Sequence, residues 1–173
     1  MKKFLILLIT LIAVVATIVF QTVFINEIPL FGVIANIGIV FISTIALTND
    51  EKTGAIIGVL YGLFSDVMFG RTFGIYTIAY FILGYTIGYL KGRISLENRL
   101  TAIIVVAIST ILFEAFFMII GIVLYKYSNV QIGKFIKIII CETLYNLFLT
   151  FVFYYPFSWI GNLLNDTKKR YIF

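Results

Sequence analysis

Five short polar interruptions, at residues 26–29, 48–52, 70–74, 91–99 and 126–133, divide this chain into six apolar runs. An α-helix needs roughly 20 apolar residues to cross a bilayer. The pattern therefore predicts an all-α polytopic membrane protein with six transmembrane helices, at about residues 4–25, 30–47, 53–69, 75–90, 100–125 and 135–160, in one integral membrane domain covering residues 1–173. Lys2 and Lys3 before the first run resemble the start of a signal peptide. The run is too long for one and lacks a small-x-small cleavage site, so a retained helix is expected. Pro29 suits the first turn of the second helix, whose surface Asn36 and Ser43 interrupt only mildly. In the last helix Pro156 is placed to kink or end the membrane part of an apolar run that continues to Leu164.

Within these runs the glycines are not scattered. Gly54, Gly58, Gly62, Gly70 and Gly74 fall four apart, with Asp66 in the vacant slot, and Gly84, Gly88 and Gly92 repeat the spacing. Glycine at every fourth position leaves a groove along one helix face where another backbone can approach closely. The two readings are close packing of helices three and four within the chain, and docking of another protein's helix.

Composition agrees with the bilayer. Hydrophobic residues make up 62% of the 173 and charged residues only 12%, about half the charged share of soluble domains. The net charge of +5 does not form a nucleic-acid-binding patch, because the basic residues sit at the ends of apolar runs. With six spans, Lys2, Lys3, Lys52, Lys91, Arg93, Arg99, Lys168, Lys169 and Arg170 share one side, and Arg71, Lys126, Lys134 and Lys137 the other. The richer side is expected to be cytoplasmic, with both termini there.

Three carboxyl groups fall at membrane depth: Asp66, Glu114 and Glu142. At about 1.5 Å of rise per residue they share one layer in the outer half of the bilayer. One reading is a cation, proton or ligand site with Arg71 and Asn146 as partners. The other, favoured for Glu114 and Glu142, is hydrogen bonding inside the bundle or contact with a polar residue of another membrane protein. For Asp66, four residues from Gly62 and from Gly70 and close to Arg71, a fold-organising role is expected.

Catalysis finds little to work with. The absence of histidine removes the usual base for a serine nucleophile and the commonest zinc ligand. Asp66 has no second aspartate at depth for a proteolytic dyad. Cys141, the single cysteine, excludes an internal disulfide and suits an apolar filler. No catalytic residue, metal site or cofactor is expected.

The run Gly58-x-x-x-Gly62-Leu63-x-x-Asp66-x-x-x-Gly70-x-x-x-Gly74, followed by a helix ending in Gly84-Tyr85-x-x-Gly88, resembles the core signature of MreD, the bacterial rod shape-determining membrane protein family. The resemblance implies a non-enzymatic scaffold of the cell-elongation complex in the cytoplasmic membrane. Its implied partners are MreC and, through it, MreB and the RodA/penicillin-binding protein pair of peptidoglycan synthesis. It also implies a fold similar to the substrate-binding subunit of energy-coupling-factor transporters, from which an alternative follows, a vitamin-binding subunit of such a transporter. One departure is Ala35-Asn36, where family members often carry Pro-Asp, which puts an acidic role there in doubt.

Overall fold

In the computed structural model the described residues are 2–91, 98–126 and 132–169. Gly92, Arg93, Arg170 and most of the expected connections at 91–99 and 126–133 lie outside them. Among the described residues there are six α-helices: α1 (Lys2–Phe20), prolonged by a π-helical turn over Gln21–Ile25, α2 (Ile37–Thr48), α3 (Glu51–Phe69), α4 (Ile75–Lys91), α5 (Arg99–Tyr125) and α6 (Ile132–Lys169). Four of them, α1 with its π-helical turn, α3, α5 and α6, are long and apolar enough to cross a membrane.

The expected second helix differs most. Its first residues, 30–36, are not helical: Leu30 and Val33 exchange both backbone hydrogen bonds at 2.9 Å around Phe31 and Gly32. Both turn residues are left-handed, with φ +53° and +80°. Glycine adopts that conformation freely, whereas a bulky side chain rarely does. What remains of the run is α2, 12 residues long, which at 1.5 Å per residue spans about 18 Å.

Every residue of α2 is buried, and the helix touches all five others. Hydrophobicity does not explain this, because lipid tails accept an apolar surface as readily as a protein core does. Length does. A helix of about 18 Å cannot reach both edges of a hydrocarbon layer of about 30 Å, and its terminal N–H and C=O groups need partners that lipid lacks. The fold supplies them. At the N-terminus Asn36 Oδ1 accepts from the backbone N–H of Gly38 and Ile39, and Gln21 Oε1 from that of Ile37. At the C-terminus the Thr48 carbonyl accepts from Lys91 Nζ at 2.6 Å and from Asn165 Nδ2 at 2.9 Å. Asn49 Nδ2 ties the same end to the Gly161 carbonyl of α6.

The outer helices turn apolar side chains outward, among them Leu11, Ile12, Val15 and Val19 of α1 and Ile104, Ile108, Ile111 and Leu112 of α5. This is what lipid contact requires of them. α3 begins where Asp50 Oδ1 accepts from the Thr53 N–H, a side-chain N-cap. α6 continues through Pro156 and past Leu164 as one helix. The proline removes one helical hydrogen bond and does not end the helix.

Candidate functional site

α3 and α4 cross along their whole lengths, and glycine permits it. A Cβ added at Gly54 would overlap the Gly84 carbonyl, and one at Gly84 the Gly54 carbonyl. At Gly58 it would overlap the Tyr80 carbonyl, at Gly62 the backbone of Thr77, and at Gly88 the Asp50 carbonyl. In each case the obstacle is backbone, which cannot rotate away as a side chain can. Gly70 and Gly74 belong to the connection instead. Gly70 closes α3 with its N–H on the Asp66 carbonyl, and Gly74 is left-handed at φ +100° just before α4.

Asp66 stands where the two helices meet. It is 3% exposed. Its Oδ1 accepts from the Tyr76 N–H at 2.9 Å, and its Oδ2 from the Thr77 N–H at 3.0 Å and the Thr77 hydroxyl at 2.5 Å. A carboxylate from α3 thus satisfies the orphan donors of the first turn of α4 and faces the positive end of its dipole. The Asp66–Arg71 pairing anticipated from spacing gives way to this cap. The Arg71 guanidinium lies over the Tyr125 ring, 4.6 Å from its centroid.

A second polar group forms around the start of α2. Asn36 Oδ1, besides capping the helix, accepts from the Tyr80 hydroxyl at 2.8 Å. Asn146 on α6 accepts from the Asn36 N–H at 2.8 Å and donates to Thr110 Oγ1 on α5 at 3.0 Å. Glu142 lies beside it, one turn earlier on the same helix, and the Glu114 carboxyl of α5 is its neighbour. Gln21, from the π-helical turn, donates to the Ala35 carbonyl at 2.8 Å and to Asn26 Oδ1 at 3.0 Å. The structure therefore joins Glu114, Glu142 and Asn146 in one network, and places Asp66 and Arg71 elsewhere.

Glu114 and Glu142 look into a cavity of about 410 Å³ that Gln21, Asn26, Asn36 and several aromatic rings also line. Among the described residues no group of three or more His, Cys, Asp or Glu is disposed to hold a metal ion.

A family model, that of the rod shape-determining protein MreD, matches residues 1–164 of the 173. The chain belongs to the MreD family. Neither a curated protein nor a solved structure matches it. In this chain the glycine and aspartate series is an architectural device. It brings two backbones together, and the aspartate caps the helix that the second backbone starts. Asn36, which the sequence marked only as a departure from an acidic residue, is the N-cap of α2, a role that asparagine fills as well as aspartate does.

Gln21, Asn49, Thr48 and Asn165 were not singled out by the sequence pattern, although all four fasten α2. For Gln21, Asn49 and Asn165 the available signal was a polar amide at or near the end of an apolar run; Thr48 takes part through its backbone carbonyl and gave none. Which helix end each amide serves depends on contacts 14 or more residues away, such as Gln21 with Ala35 and Asn165 with Thr48.

Proposed function

We propose that this chain is a non-enzymatic scaffold of the cell-elongation complex, holding MreC in the cytoplasmic membrane and, through it, linking MreB to RodA and its penicillin-binding partner. The family match over residues 1–164 carries the reading. The structure adds a physical reason for rigidity. α3 and α4 use their glycine faces on each other, and α2 is fastened at both ends, so a partner would meet a platform of fixed shape. The basic residues orient it, with both termini in the cytoplasm and the 70–74 connection outside.

Depletion in a rod-shaped host is expected to give round cells, and MreC is expected to co-purify with the tagged chain in mild detergent. Normal rods after depletion, or a tagged chain recovered intact without MreC, would overturn the proposal.

A further inference from the structure

The scaffold role does not account for the cavity. Its carboxyls come from α5 and α6, with Glu142 only 5% exposed. Among the described residues neither Glu114 nor Glu142 forms an ion pair with a lysine or arginine; the polar groups beside them are each other and Asn146. Acidic groups in a membrane interior are costly, and where they face a cavity they mark a pathway or a ligand site. Here the space beside them is open rather than filled by a basic side chain.

The rest of the wall limits what could enter. Tyr76, Phe113 and Phe117 form a continuous aromatic surface, with ring centroids 4.7 Å apart for Tyr76–Phe117 and 4.9 Å for Phe113–Phe117. Tyr80 extends it at 4.8 Å from Phe113. Aromatic faces attract organic cations, and carboxyls attract ammonium groups through charge-assisted hydrogen bonds. Calcium takes six to eight oxygen ligands, and a wall of rings is a poor source of them. The volume of about 410 Å³ falls within the ~300–1,000 Å³ typical of small-molecule sites. Asn26 and Ile34, from the α1–α2 connection, border the cavity, and Ile34 is itself exposed.

We propose that the cavity binds a small organic cation, an alkylammonium group seated beside the Glu114 and Glu142 carboxyls and against the Tyr76 and Phe117 rings. The same chemistry comes from a soluble amine or from the ammonium of a phosphatidylethanolamine headgroup, and the test separates the two. Purified chain is placed in phosphatidylglycerol nanodiscs, and its unfolding temperature is followed against propylammonium chloride, with sodium chloride at equal ionic strength as reference. A second arm compares nanodiscs that contain phosphatidylethanolamine.

Saturable stabilisation by propylammonium, with apparent affinity reduced at least tenfold in Glu142→Gln and Glu114→Gln, supports a soluble ligand. Stabilisation by phosphatidylethanolamine that both variants lose supports the lipid source. No stabilisation beyond sodium chloride in either arm, or equal stabilisation of wild type and variants, would overturn the proposal. Should Glu142→Gln fail to fold, Glu114→Gln carries the test, since Glu114 is only partly buried. None of these readouts involves cell shape or MreC, so the scaffold proposal stands or falls separately.

Discussion

Asp66 and Asn36 do the same work by different chemistry. Each presents side-chain oxygens to the opening turn of a helix that begins inside the protein, where no water can satisfy the N–H groups. Asp66 reaches across from α3 to α4, and Asn36 caps its own helix while also holding Tyr80. Asp66→Asn retains one acceptor oxygen and loses the other along with the charge. It is expected to cost about 1–2 kcal/mol in reversible unfolding of the detergent-solubilised chain. Asn36→Ala removes an acceptor shared by three donors and is expected to cost at least as much. Tyr80→Phe, which removes one donor, is expected to cost about 1 kcal/mol. If Asn36→Ala proved no more costly than Tyr80→Phe, the cap would be shown to contribute nothing. Several threonines at membrane depth, including Thr10, Thr44, Thr110 and Thr150, donate to the carbonyl four residues earlier. That local bond satisfies each hydroxyl within its own helix, so these polar residues interrupt the apolar pattern without needing a partner from another element.

At the scale of elements, the α3–α4 crossing is the contact most sensitive to added volume. Gly62→Leu would drive a side chain into the Thr77 backbone and is expected to separate the helices, with loss of rod-shape complementation in a depletion strain. Gly58→Ala is expected to be damaging for the same reason, since even a methyl group would meet the Tyr80 carbonyl. Gly133 is the control. A Cβ there meets nothing within 4 Å, so Gly133→Ala should complement fully. Equal complementation by Gly62→Leu and Gly133→Ala would show that the groove is not needed. The glycine spacing was legible in the sequence because the four-residue period is local to one helix. The break at 70–74 was legible too, but the four-residue spacing alone did not separate Gly70 and Gly74, which serve that connection, from the glycines that pack the two helices.

For the whole molecule, the charge distribution predicts an orientation that labelling can check. In a Cys141→Ala background, Phe73→Cys in the exposed 70–74 connection is expected to react with a membrane-impermeant maleimide in intact cells. Asn98→Cys, at the exposed start of α5, is expected to react only after permeabilisation. The opposite pattern would invert the proposed topology. By itself the sequence determined the apolar runs, most of the polar breaks between them and the signature that marks the family, because hydropathy and local spacing are properties of the chain alone. It did not determine that α2 is short and enclosed, that Asp66 caps α4, or that Glu114 and Glu142 meet beside a cavity. Lipid and protein interior are equally apolar, so a hydrophobic pattern cannot say which face of a helix is buried. Only tertiary structure decides which distant polar groups satisfy one another, because the bilayer offers no water in their place.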